Sequence, residues 1–188
     1  YACAFANETK AKKKLGFLLN EDGKIVPAND AAMYSYILGI DDMKKFRKNK
    51  KSGVEIIHEV FELKYERDRY VFEFTPEEKE YIAEYKKLIK YDDKKVFAGF
   101  NTGCSELFPN KKMTIEQHIF IIKNILKNKN IVVMLLGGRE DTLRNEQIYS
   151  SFSESEQKRI INTPSTEGIR RGACYMSIPD IVVSGDSF

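Results

Sequence analysis

The feature that most restricts the fold of this chain is the regular alternation, through its second half, of short apolar runs with longer capped and amphipathic segments. Val96, Phe97, Ala98, Gly99 and Phe100 form an apolar run that passes into a polar, glycine-containing stretch over 101–112, as a strand buried on both faces does when it enters a loop. Thr114, with Gln117 three residues later, fits a capping box and predicts a helix start. Ile115, Ile119, Ile122 and Leu126 then recur at helical spacing as one stripe, with Lys123, Lys127 and Lys129 near the favourable end of the helix dipole. A second apolar run covers 131–136 and is broken by Gly137 and Gly138. Beyond it, 139–150 reads as a helix, 159–162 as a strand, 165–177 as a helix and 180–184 as a strand. This order predicts an α/β fold with a parallel sheet and right-handed crossovers.

The first half is more charged and less regular. Helices are expected over 29–38 and 52–63, the second opened by Ser52 and Glu55 and buried through Val54, Ile57, Val60 and Phe61. Charged and aromatic residues alternate over 65–74, which reads as a strand. Thr75, Pro76 and Glu78 combine a cap, a proline at the first helical position and a third-position acid, launching a helix that should reach about Lys90. The charged stretch that starts at Tyr91 is the best boundary, giving domains over 1–90 and 91–188. Tyr1, Ala2, Cys3, Ala4, Phe5 and Ala6 read as the middle of a buried strand, and the last apolar strand stops just short of Phe188, so both ends are expected to be cut and the second domain truncated.

Composition excludes several classes. With 188 residues and 42% hydrophobic content the chain can build a real core, and a net charge of +3 is too small to mark a nucleic-acid partner, so none is expected. Cys3, Cys104 and Cys174 are odd in number and far apart, which argues against a disulfide framework or a cysteine-based zinc site and fits the cytoplasm. The longest apolar run, 131–136, is far short of the roughly 20 residues that cross a bilayer, so any membrane contact is peripheral. His58 and His118 have no ligand partners at metal spacing, so no metal is assigned. No P-loop, dinucleotide fingerprint or nucleophile-elbow motif is present.

In an open parallel sheet, ligands bind beyond the carboxyl ends of the strands, where three loops should meet. Thr102, Gly103, Cys104 and Ser105, with Lys111 just before a helix start, make an anion site, though a solvated loop explains them as well. Gly137 and Gly138 allow close backbone approach, and Glu140 or Asp141 can accept from ribose hydroxyls or merely complement a helix N-terminus. Asp186 and Ser187, after Gly185, can meet sugar hydroxyls and a phosphate, or form a plain turn. The signal is the combination. Elsewhere, Lys44, Lys45, Phe46, Arg47, Lys48, Asn49, Lys50 and Lys51 form a basic run that faces either a phosphorylated lipid acceptor and anionic headgroups or only solvent.

These loops resemble glycosyltransferase family 9, the ADP-heptose:lipopolysaccharide heptosyltransferase family. The resemblance rests on Asn101, Thr102, Gly103 and Cys104 after the first strand; Lys111, Lys112, Met113 and Thr114 at the helix entry; Leu136, Gly137, Gly138, Arg139, Glu140 and Asp141 after the second strand; and Asp186 and Ser187 at the end. Met113 and Thr114 stand where the family has Trp-Pro, and Phe188 where it has Gly. The resemblance implies a GT-B type fold, a Rossmann-like donor domain facing part of a second α/β acceptor domain. It implies that Thr102, Gly103, Cys104, Ser105, Lys111 and Ser187 hold the phosphates of a nucleoside-diphosphate sugar such as ADP-heptose, with Glu140, Asp141 and Asp186 on the ribose or sugar. It further implies inverting, metal-independent transfer, without a cofactor, to a phosphorylated glycolipid or other glycan acceptor. On this reading the catalytic base precedes Tyr1, and the protein is cytoplasmic, with peripheral inner-membrane contact through Lys44 to Lys51. The alternative is a module that binds nucleotide-sugar or an anionic surface without turnover.

Overall fold

The computed structural model describes residues 1–67, 69–104 and 111–185. The chain divides into two compact units, Tyr1–Val71 and Phe72–Phe188.

In the first unit, α1 (Ala2–Glu8) replaces the strand expected there: it buries no residue, its alternating alanines favour a helix, and it meets the end of β1 through the Asn7 side chain, which bonds the Leu19 N–H and carbonyl, rather than through a strand ladder. An antiparallel hairpin follows, β1 (Phe17–Leu19) and β2 (Ile25–Pro27), turned at Gly23 with a φ of 73°. Helix α2 (Asp30–Ile40) starts where Asn29 accepts from the Ala32 N–H. A π-helical turn (Lys44–Lys48) and α3 (Gly53–Val60) complete the unit. Its core is Ala32, Leu38, Ile56 and Val60. The stripe of α3 therefore runs through Ile56 and Val60, and the expected core residues Ile57 and Phe61 are exposed. The segment 65–74 forms no strand in its described residues, since Tyr70 and Val71 are almost fully exposed and have no neighbouring strand to hold them.

The second unit begins with α4 (Pro76–Leu88), opened by the full capping box of Thr75 and Glu78. Strands β3 (Val96–Asn101), β4 (Ile131–Leu136), β5 (Ile160–Asn162) and β6 (Ile181–Ser184) make one parallel sheet in the order β5-β4-β3-β6. Between them run α5 (Ile115–Ile125), a 3-10 turn (Arg139–Asp141), α6 (Thr142–Ser150), the short α7 (Glu154–Gln157) and α8 (Ile169–Met176). Alternate residues of the strands feed two cores. Ala98, Phe100, Val133 and Leu135 pack with Ile122, Leu126 and Ile148 on one face, while Phe97, Val132, Met134 and Leu136 pack with Tyr85 and Tyr175 on the other. This is why β3 and β4 read as unbroken apolar runs. The units part at Val71, ahead of the boundary expected at Tyr91, because α4 covers the second face through Tyr81, Ile82 and Tyr85. Gly99 makes room for this layer: a Cβ there would lie 2.7 Å from Pro179 Cγ and 2.9 Å from Leu136 Cδ1.

Counting strands within the unit, the order is third, second, first, fourth. The chain thus moves outward from β3 in one direction and then returns to its other side, so the gap between the carboxyl ends of β3 and β6 is the topological switch point where such sheets open a ligand crevice. Among the described residues no helix is long and apolar enough to cross a membrane.

Candidate functional site

A cleft of about 560 Å³ opens at the carboxyl edge of the parallel sheet. Its floor and one side come from Asn101, Gly103 and Cys104 after β3 and from Leu136, Gly137, Gly138, Arg139, Glu140 and Asp141 after β4. The opposite side comes from the loop after β5, with Thr163, Pro164, Ser165, Thr166 and Gly168, and from Ile169, Gly172, Ala173 and Met176 of α8. That second wall is absent from the sequence reading, which started α8 at Ser165. The helix instead starts at Ile169, after Gly168 takes a φ of 87°, and the residues ahead of it stay in the loop. The available signal was positional: a loop after any parallel strand of one sheet lies on the same edge.

Thr102 is fully buried, and its hydroxyl bonds the Leu136 carbonyl at 3.2 Å and the Asn145 side chain. It joins β3 to β4 and α6 and presents no hydroxyl to the cleft. Asp141 is also buried, and its Oδ2 accepts from the Gly138 N–H at 2.9 Å. A Cβ on Gly103 would collide with this carboxylate, and one on Gly137 would come within 2.8 Å of Asp141 Cβ. The two glycines therefore let both loops close around Asp141, which sets the shape of the cleft from beneath. Both acids line the cleft, and the neighbouring Glu140 is the exposed one of the two.

Cys104 lines the cleft and is half-buried. Lys111 is exposed and does not line it; its carbonyl lies where a Cβ on Gly185 would collide, which places the lysine's main chain against the end of β6, at the switch point. At the same place Asn101 Nδ2 donates to Ser184 Oγ at 3.1 Å. Ser105, Asp186 and Ser187 lie outside the described residues. Among the described residues no three His, Cys, Asp or Glu side chains gather as ligands around a metal would.

The far wall is braced from behind. Tyr175 of α8 donates to Glu167 and shares a hydrogen bond with Tyr81, and burial together with these partners pushes its phenol well up. Burial also pushes Tyr85 up to about 12. Arg170 binds Glu78 through two nitrogens and holds that carboxyl below the usual range, with help from the Thr75 N–H. Arg171 lies over the Tyr81 ring at 3.6 Å. In front, Thr142 Oγ1 and Ser165 Oγ bond at 2.6 Å, tying the first residue of α6 to the loop after β5.

His118, to which the sequence assigns no metal, is buried in α5. Its Nδ1 donates to the Thr114 carbonyl at 2.9 Å, which leaves Nε2 as the bare nitrogen of a neutral ring, with no partner among the described residues. Arg144 reaches across from α6 to the Met113 carbonyl and so anchors the entry to α5. Burial is the main cause that holds His118 below its usual pKa; the Thr114 bond opposes it and the Arg144 charge adds to it. Since the folded state resists protonation, the contribution of His118 to stability is complete above the unfolded value of about 6.5 and is lost as pH falls through the lower folded value. Urea unfolding at about pH 7.5 and about pH 5 should show a loss of stability on acidification that is smaller in His118→Phe. An equal loss in both proteins would remove His118 as its source.

No family model matches the sequence, and a search of curated proteins finds no match. Solved structures do. The chain is similar to the structure of E. coli ADP-heptose lps heptosyltransferase II, with a TM-score of 0.54 and 18% identity over 68% of this chain and 37% of that one. It is also similar to the glycosyl transferase family 9 structure from Veillonella parvula DSM 2008, with a TM-score of 0.58 and 18% identity over 74% of this chain and 39% of that one. The chain thus spans well under half the length of either structure, and what it shares with them is their fold, the α/β arrangement with a parallel sheet that the sequence predicts.

Proposed function

We propose that this chain carries the donor-binding part of a nucleotide-sugar-dependent glycosyltransferase of the heptosyltransferase kind, which transfers a sugar from a nucleoside diphosphate to a lipopolysaccharide-type or other glycan acceptor. The observation that carries the reading is the placement of the cleft: it opens at the carboxyl edge of the sheet, over the ends of β3, β4 and β5, and sits in a fold similar to two glycosyltransferases. The nucleoside occupies the cleft against Ile169, Gly172 and Met176, with its ribose hydroxyls donating to Glu140. The diphosphate extends toward Cys104, Lys111 and Gly185, where the ends of β3 and β6 meet.

In the reaction proposed, a base takes the proton of an acceptor hydroxyl, and the oxygen attacks the anomeric carbon from the side opposite the diphosphate. The carbon–oxygen bond to the nucleoside diphosphate breaks with inversion, and Lys111 and backbone N–H groups stabilise the charge that develops on the leaving group. No metal is required for this step.

Lys111→Ala is expected to weaken the binding of ADP by about 1.5–3 kcal/mol, the range for a hydrogen bond to a charged group. Titration calorimetry of the parent protein and the variant measures it. If the affinities are equal, Lys111 has no place in the site; if the parent protein binds neither ADP nor any other nucleoside diphosphate, the donor-site reading fails.

A further inference from the structure

The far wall of the cleft carries a flat apolar strip. Helix α8 turns Ile169, Gly172 and Met176, spaced i, i+3 and i+7, onto the cleft, with Ala173 beside them. Ile169 is 90% exposed, and nothing stands within 4 Å of where a Cβ on Gly172 would lie, so the protein leaves this strip uncovered. The two arginines that interrupt it in sequence are turned away: Arg170 is bound to Glu78, and Arg171 lies over the Tyr81 ring.

Across the cleft stands Arg139, the one cation among the described residues that line it. It is exposed and forms no ion pair among the described residues. Its main chain is fixed, because it opens the 3-10 turn after Gly138 and its carbonyl accepts from Thr142 Oγ1 at 2.8 Å. Thr142 has a single hydroxyl proton, so in its bond with Ser165 the serine is the donor. These bonds seat Arg139 beside the loop after β5, at the end of the cleft away from the switch point. The hydroxyls at this end are engaged within the protein: Thr163 donates to the Leu135 carbonyl at 2.6 Å, Ser165 to Thr142, and Tyr175 to Glu167. Among the described residues only Thr166 of the hydroxyls that line the cleft keeps its proton for a ligand. A base recognised by its edges needs several fixed donors and acceptors, whereas this end supplies two opposed surfaces for a flat ring.

We infer that Arg139 lies over one face of the nucleobase while Ile169 and Gly172 support the other, so that the cleft selects a purine ring by its faces and takes adenine and guanine nucleotides alike. A guanidinium is planar and weakly hydrated and stacks on aromatic rings, which a lysine ammonium does not. The glycine in the opposing strip lets a flat ring approach the helix closely. This role rests on the donor-site reading, which names neither Arg139 nor the base.

Titration calorimetry of the full 188-residue chain with ADP, GDP and UDP tests it. ADP and GDP are expected to bind within about tenfold of each other and UDP more weakly, because stacking tolerates either purine and the pyrimidine offers a smaller face. Arg139→Ala and Arg139→Lys should each weaken ADP and GDP about tenfold. Arg139→Trp restores a flat ring without the charge and should bring both back to within about threefold of the parent chain. The chain contains no tryptophan, so this indole is a unique reporter, and ADP and GDP should quench its emission while pyrophosphate should not. Gly172→Leu fills the strip from the other side and should also weaken ADP and GDP about tenfold. If the parent chain binds no nucleoside diphosphate, the donor-site reading fails and this role with it. If ADP binds and Arg139→Ala binds it equally well, the role of Arg139 alone is overturned. It is overturned too if Arg139→Lys restores the affinity and Arg139→Trp does not, which would make Arg139 a point charge for phosphate. A gap between ADP and GDP of more than about tenfold, or UDP binding as tight as ADP, would overturn the selection by faces.

Discussion

Phe100→Ala is expected to lower the unfolding free energy by about 3–5 kcal/mol, a large share of the roughly 5–15 kcal/mol that holds a domain together. Phe100 is 1% exposed and lies near the end of the central strand β3, paired with Leu135 on one side and Val183 on the other. Its ring packs in the core that Ile122 of α5 and Leu126 at the end of that helix share with Ile148 of α6, edge-on to His118. The strands around it are held by ladders on both sides, so the space it leaves cannot close. The cavity term then adds to the lost transfer energy. Urea unfolding of the two proteins measures the difference, provided the slope with denaturant is unchanged. A loss below about 1 kcal/mol would show that the sheet collapses into the space and that β3 is not the rigid centre of the unit.

Gly103→Ala should have nearly as large an effect on folding and a larger one on the cleft. The added Cβ overlaps the Asp141 carboxylate, so either the loop after β3 or Asp141 must move. Overpacking of this kind costs about 1–3 kcal/mol. Displacing Asp141 also removes the charged acceptor of the Gly138 N–H, a further 1.5–3 kcal/mol or so. Because Gly103, Gly138 and Asp141 all line the cleft, the binding of ADP should fall along with stability. Chemical denaturation and calorimetry on the same sample separate the two effects. As a control for stability alone, Gly172→Ala has open space around its Cβ inside α8 and should not lower stability. Equal stability of Gly103→Ala and the parent protein would show that Asp141 is not held where it blocks the loop.

Most elements of the second unit were legible in the sequence because their signals are local, though the short α7 was not read and α8 starts at Ile169 rather than Ser165. The run 131–136 is strand β4 without a shift of register, and the Thr114–Gln117 and Thr75–Glu78 capping boxes both form. Three readings of the first 74 residues did not survive: the strand at the N-terminus, the strand over 65–74, and the placement of Ile57 and Phe61 in the core. They share a physical cause. A strand exists only through a partner, and a helix face is buried only where another element covers it, so a pattern without its neighbour remains ambiguous.

The candidate site shows the same division. Sequence by itself brought Gly103, Cys104 and Glu140 to one sheet edge, because alternating strands and helices of these lengths leave a parallel sheet as the solution and put the loops after its strands on one side. Only the tertiary structure decided what each residue does there. It turned the Thr102 hydroxyl into the sheet, placed Asp141 beneath the loops and Glu140 at their surface, and supplied a second wall from Thr163 through Met176. Adjacent residues with similar side chains carry the same local signal, and the direction each one faces is set by packing against chain that is distant in sequence.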